Sequence, residues 1–129
     1  MHTTPWQRRL VIGIFAAGLV VATTAPSEAA ATLASFGRCL KSKGATFYGT
    51  SWCPHCDAQR DTLGDAMDYV KYVECSVEGA RGETTAACKK ADVDGYPTWT
   101  FADGSREGGA QSLRNLATKT GCTLPRDAD

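Results

Sequence analysis

The sequence predicts an α/β domain with a central mixed sheet of about four strands flanked by helices. Two observations carry this. Helical and strand-like segments alternate from residue 33 onward, in the order helix-strand-helix-strand-helix-strand-strand-helix. Two strands joined through a helix imply a parallel pair, and a terminal hairpin adds an antiparallel one.

Leu33, Phe36 and Leu40 recur at helical spacing, which predicts a short helix over Leu33–Lys43, stopped by Gly44. Ala45–Gly49 (ATFYG) is aromatic and apolar and reads as a buried strand. Cys53–Met67 reads as a helix with Pro54 in its first turn, where proline is tolerated. Asp57 and Asp61 suit its positive end, and Leu63, Ala66 and Met67 give it an apolar side. Tyr69–Glu74 (YVKYVE) alternates like a strand, and Ser76–Gly82 reads as a loop with two glycines. Glu83–Ala91 is expected to be a short helix carrying Cys88, followed by a turn at Asp94-Gly95. Pro97–Phe101 and Ser105–Gly108 are expected to form a hairpin turning at Asp103-Gly104. Ser112 is the expected N-cap of a last helix containing Leu113, Leu116 and Ala117, ended by Gly121, with a frayed tail at Arg126–Asp129.

The first thirty residues read differently. Arg8 and Arg9 precede sixteen uncharged residues, Leu10–Ala25, and small residues follow Pro26. A basic start, a short apolar run and a small-residue end make a secretory signal, cleaved after Ala29 or Ala31. A membrane anchor over residues 10–25 is the rival, although about 20 apolar residues are needed to span a bilayer. The expected division is a signal over 1–29 and one domain over 30–129, which leaves about 100 residues for a single core.

The 129 residues hold 14 Lys+Arg against 14 Asp+Glu, so no basic excess argues for nucleic acid. An apolar fraction of 43% with 22% charged suits a folded domain. His2 and His55 are the two histidines, which excludes a three-histidine metal site within one chain. Six cysteines, Cys39, Cys53, Cys56, Cys75, Cys88 and Cys122, all follow the signal. An even count in a small exported domain reads as disulfide-bonded.

The chemistry concentrates in Trp52-Cys53-Pro54-His55-Cys56. Two cysteines three apart at the start of a helix that follows a strand form a redox signature. Sulfurs at i and i+3 in a first turn can bond, and the free amides and dipole there favour an anion. Cys53 gains most and is the expected nucleophile; Cys56, one turn inside, is expected to be buried, protonated and resolving. Pro54 and His55 are the expected tuning residues, because a positive His55 beside Cys53 would favour the dithiol and make the disulfide a stronger oxidant. Its alternative is a solvated residue at the helix start. Pro97, opening a strand, could present its backbone to an incoming peptide; spacing alone favours an ordinary trans turn proline. Trp52, Tyr96 and Trp99 are candidates for an apolar rim, with core packing the equal alternative. Zinc on Cys53, Cys56, Cys75 and Cys88 is the metal rival, opposed by the lone CxxC and the oxidising compartment, so no metal and no cofactor are expected.

These residues resemble the thioredoxin superfamily. The similarity is greater to the thioredoxin-like domains fused to, or partnered with, bacterial and plant homologues of vitamin K epoxide reductase. It is carried by Phe47–Cys56, Tyr72–Cys75, Gly95–Trp99 and Gly109–Gly121, within residues 33–124. The resemblance implies that Pro97 is cis and contacts substrate, that Cys53 attacks and that Cys56 resolves; Trp52 and Tyr96 are the substrate-contacting candidates from the rim. It implies a structural Cys75–Cys88 disulfide, one of three pairings open to the remaining cysteines; Cys39 and Cys122 would then tie the first helix to the last. It also implies electron transfer from folding proteins to a quinone-linked membrane reductase, here a separate chain. Phe47 departs from the pattern, since thioredoxins carry an acid six positions before the first active cysteine. That departure weakens a reductant reading.

The expectation is therefore a monomeric, exported, periplasmic or extracytoplasmic thiol–disulfide oxidoreductase. It would oxidise or isomerise exported cysteine-containing proteins and be recycled by a vitamin K epoxide reductase-like membrane protein. The alternatives are an extracytoplasmic reductant and a disulfide-rich binding module with an inert CxxC.

Overall fold

A computed structural model describes residues 31–128. The signal or anchor expected over residues 1–29 lies outside the described residues; among the described residues no helix is long and apolar enough to cross a membrane.

Helix α1 spans Leu33–Ser42 and opens on a capping box: Thr32 Oγ1 accepts from the Ser35 amide, and Ser35 Oγ accepts from the Thr32 amide. Its apolar stripe buries Phe36 and Leu40. Strand β1, Thr46–Gly49, leads through a short turn into α2, Pro54–Leu63. The long helix expected to Met67 ends earlier. Gly64 takes φ +49°, and Gly64–Asp68 continues as a 3-10 turn. That turn lies against α1, where a Cβ at Gly37 would overlap the Ala66 carbonyl. Strand β2, Lys71–Glu74, then returns parallel to β1.

The segment expected as a loop is instead a second, two-stranded sheet: β3, Ser76–Val77, pairs antiparallel with β4, Ala80–Thr84. The backbone reverses at Gly79, φ +76°. Strand β4 takes Glu83 and Thr84, so helix α3 is shorter than expected and spans only Ala86–Lys90. Strands β5, Thr98–Thr100, and β6, Arg106–Gly108, form the expected hairpin, with Asp103 Oδ1 accepting from the Ser105 amide. Helix α4, Leu113–Thr120, is capped by Ser112 and ends at Gly121 in the left-handed region. Beyond it, the Ala128 amide donates to the Pro125 carbonyl, a turn where fraying was expected.

The main sheet has the order β2-β1-β5-β6, with β1 parallel to β2 and the other pairs antiparallel. The fold class read from the sequence is the one observed: a mixed four-stranded sheet flanked by helices, consistent with a thioredoxin-like fold. Alternation along β1 separates two clusters. Phe47 lies in register between Tyr72 and Trp99, stacked on Trp99 and edge-on to Tyr72, with both centroid distances 5.1 Å. That row joins Phe36, Leu40, Leu63, Ala66, Phe101 and Leu116 in the principal core. Tyr48, on the opposite face, packs with Val73 and Tyr96 against Cys75, Cys88 and Val93.

The two disulfides clamp these clusters. Cys39 on α1 is bonded to Cys122 beyond α4, and Cys75 after β2 is bonded to Cys88 on α3. The second bond takes Cys75 and Cys88 out of the four-thiolate zinc set weighed from the sequence.

Gln59 is a fully buried polar residue in the stripe Cys56, Gln59, Leu63 of α2. Its Oε1 accepts from the Trp99 indole at 3.0 Å and the Gln111 amide at 2.6 Å, and its Nε2 donates to the Gln111 carbonyl at 3.0 Å. One amide thus ties α2 to β5 and to the segment before α4. Gln59→Leu leaves buried donors without an acceptor, at about 1–3 kcal/mol each. We expect a loss of about 2–4 kcal/mol in denaturant unfolding; an unchanged midpoint would mean that water replaces the amide.

Candidate active site

Parallel pairing brings the ends of β1 and β2, Gly49 and Glu74, side by side. Antiparallel pairing brings the start of β5 to the same edge, with Tyr96 and Pro97 just before it. Helix α2 begins there too. The cysteine pair, the Tyr96-Pro97 segment and Glu74 therefore gather at one end of the sheet, although up to 44 residues separate them in sequence.

Cys53 is the N-cap of α2, in extended conformation, with Pro54 at the first helical position. Its carbonyl accepts from the Cys56 and Asp57 amides at 3.0 and 3.1 Å. Its thiol donates to the Tyr96 carbonyl at 3.7 Å. The Tyr96–Pro97 peptide bond is cis, and Pro97 is fully buried. Cys53 and Cys56 are the free cysteines, Cys53 5% exposed and Cys56 0%.

Burial pushes the Cys56 thiol up to about 11; the Cys53 sulfur beside it pushes the same way, while the Thr50 amide and the Arg60 guanidinium pull against both. The space for the Cys56 sulfur depends on Gly49. A Cβ there would sit 3.1 Å from that sulfur and from the Phe47 ring, and 3.2 Å from the Tyr72 ring. The apolar Phe47 thus lies in the packing around Cys56, at the position where an acid was noted as missing.

Of the expected rim, Trp52 is 62% exposed and Tyr96 is half-buried, their rings edge-to-face at 6.2 Å. Trp99 is not in the rim. It is fully buried in the core, because its indole N–H is satisfied by Gln59. His55 and Pro54 lie exposed on the first turn of α2. Trp52 also lines an open cleft of about 820 Å³ shared with Ser51, Glu74, Ser76 and the β3–β4 hairpin.

Sequence reasoning missed a polar chain behind the cysteines. Arg60 Nη2 donates to the Tyr72 hydroxyl at 2.7 Å and to the Thr50 carbonyl at 3.3 Å, and Nη1 pairs with Asp57 at 2.8 Å. The Tyr72 hydroxyl donates to Glu74 Oε2 at 2.5 Å. Glu74 Oε1 accepts from the Ser51 and Ser76 amides, each at 3.0 Å, and from the Ser76 hydroxyl. Burial opposes the charge on Glu74, but these donors outweigh it and hold its carboxyl below the usual range. Burial and the neighbouring Glu74 push the Tyr72 phenol well up, so it stays a neutral donor. The one available signal was a Glu closing the YVKYVE strand, and it names no partner.

No protein-family model matches the chain. Over 88 residues it is 39% identical to a protein of Arabidopsis thaliana named thiol-disulfide oxidoreductase LTO1. The aligned stretch is 66% of this chain and 23% of that protein, so the chain spans about a quarter of its relative's length. Together with the fold and the disulfide-forming cysteines, this similarity supports a redox protein of thioredoxin-like type.

Proposed function

We propose that the chain is an exported thiol–disulfide oxidoreductase that oxidises or isomerises disulfides in other exported proteins. The observation that carries this reading is the placing of Cys53 at the start of α2, its sulfur toward the Tyr96 carbonyl, with Cys56 buried one turn behind. Cys53 is the exchanging sulfur and Cys56 its internal partner. A substrate thiolate attacks Cys53 in the Cys53–Cys56 disulfide, and the electron pair of the broken S–S bond leaves on Cys56, which takes up a proton. A second substrate thiolate then attacks its own mixed-disulfide sulfur and expels Cys53. The substrate gains a disulfide, and the protein is left as a dithiol.

Substrate contact falls to Trp52, Tyr96 and Pro97. The exposed indole and the neighbouring cleft suit a flexible, partly apolar segment. The oxidising direction is supported by Phe47, which takes the place of the usual acid six positions before Cys53, and by His55, whose positive form would favour the dithiol. Two electrons then pass to a separate quinone-linked membrane reductase of the vitamin K epoxide reductase type.

The test is a redox titration in glutathione buffers, read by Trp52 fluorescence and by alkylation mass shifts. A reversible two-thiol transition near about −120 to −180 mV is the expected result. A value near about −270 mV would turn the assignment to a reductant. No reversible transition would leave a binding module with inert cysteines.

A further inference from the structure

We propose, resting on the reading of Cys53 and Cys56 as an exchanging pair, that Arg60 is a positioning residue that stabilises the Cys56 thiolate during exchange and is itself held in place by Tyr72 and Glu74.

Arg60 follows Cys56 by four residues on α2, so the two share a face one turn apart. The Thr50 backbone stands between them: its carbonyl accepts from Arg60 at 3.3 Å, and its amide and the Arg60 guanidinium both pull the Cys56 thiol downward. Arg60 is not a free surface cation. Its guanidinium lies 5.1 Å from the Tyr72 ring centroid and donates to the Tyr72 hydroxyl. Tyr72 is anchored by Glu74, whose oxygens are taken up by Ser51 and Ser76 as well. Asp57 pairs with the same guanidinium at the solvent side, and such an exposed pair contributes little.

The elements around Cys56 present few charges. Strand β1 brings Phe47 and Gly49, β2 brings Tyr72 with Glu74 behind it, and α2 brings Cys53 and Arg60. Among the described residues Arg60 is the cation whose charge acts on this sulfur, and the ring of Phe47 packs beside it.

Exchange passes through the Cys56 thiolate in both directions. When a thiol attacks the disulfide at Cys53, the electron pair departs on Cys56. In reverse, the Cys56 thiolate attacks Cys53, and the leaving sulfur takes the pair and the proton. At neutral pH the resting Cys56 is protonated, so a cation beside it lowers the barrier both ways and leaves the equilibrium unchanged.

The experiment reacts the oxidised full chain with glutathione at pH 7 and measures forward and reverse rates and the midpoint. We expect R60M to slow both rates by about three- to tenfold, at an unchanged midpoint, and R60K to recover most of the loss. Y72F keeps the ring, removes the link to Glu74, and is expected to slow both rates about twofold or more. Its effect decides the matter if R60M does not fold. Unchanged rates in the folded variants overturn the proposal, as does an R60K loss equal to that of R60M or a shifted midpoint. A wild-type disulfide that does not react with glutathione overturns the reading of the pair itself, and Arg60's role with it.

Discussion

Cys53→Ser is expected to abolish thiol–disulfide exchange, lowering turnover of a model dithiol or disulfide substrate by about three orders of magnitude or more. A serine hydroxyl at the α2 N-cap keeps the local backbone and can cap the helix, so folding should persist. What disappears is the sulfur that bonds to substrate. Cys56→Ser should behave differently. Cys53 still forms a mixed disulfide, but the buried partner that would displace substrate is gone. Covalent adducts should therefore accumulate, visible on non-reducing gels and removed by reductant. The two variants read opposite halves of the cycle. Turnover retained by Cys53→Ser, or an adduct carried by Cys56 rather than Cys53, would reverse or remove the assigned roles.

The second large effect concerns stability. Replacing both Cys39 and Cys122 by Ala opens a bond between residues 83 apart. The chain-entropy account assigns about 4–5 kcal/mol to such a loop, and about 3 kcal/mol to the Cys75–Cys88 bond, which spans 13 residues. The first is a large share of the roughly 5–15 kcal/mol that holds a domain of this size. Denaturant unfolding should show the Cys39/Cys122 variant markedly less stable and Cys75/Cys88 less affected. The local consequences differ as well. Cys39–Cys122 joins the principal core at α1 and beyond α4, whereas Cys75–Cys88 holds the start of the β3–β4 hairpin beside the site cleft. Loss of the shorter bond should therefore alter substrate exchange more than its stability cost suggests. Equal midpoints for the two variants would contradict the loop-length argument.

Much of the frame was legible because local signals agreed with the final packing. Ser112 and Gly121 bound α4 as their side-chain and backbone preferences dictate, and Asp103-Gly104 turns the β5–β6 hairpin. Pro54 and the CxxC spacing marked the start of α2, where Cys53 and Cys56 lie. The β3–β4 hairpin was not legible. Ser76–Thr84 is polar, interrupted by Gly79 and Gly82, and its strands are half-exposed, so neither alternation nor β-branched richness announces them. The end of α2 was misplaced for a related reason: Leu63, Ala66 and Met67 continue the apolar pattern across Gly64, but the close approach of α1 at Gly37 favours a tighter turn there. Trp99 read equally as rim or core, because an aromatic at a strand centre serves both until its N–H partner is known.

The sequence by itself determined that Cys53 and Cys56 stand at a helix start, most of the elements of the main sheet and its helices, and that a β-α-β crossover precedes a hairpin. Those are consequences of spacing, periodicity and turn chemistry, all of which act within a few residues. Only the tertiary structure decided which residues answer one another across the sheet. Gln59 meets Trp99 forty residues away, Cys53 faces Tyr96, and Arg60 reaches Glu74 through Tyr72. Hydrogen bonds and charge act over a few ångströms of space, and residues distant in sequence come that close only when the strands register and the helix docks.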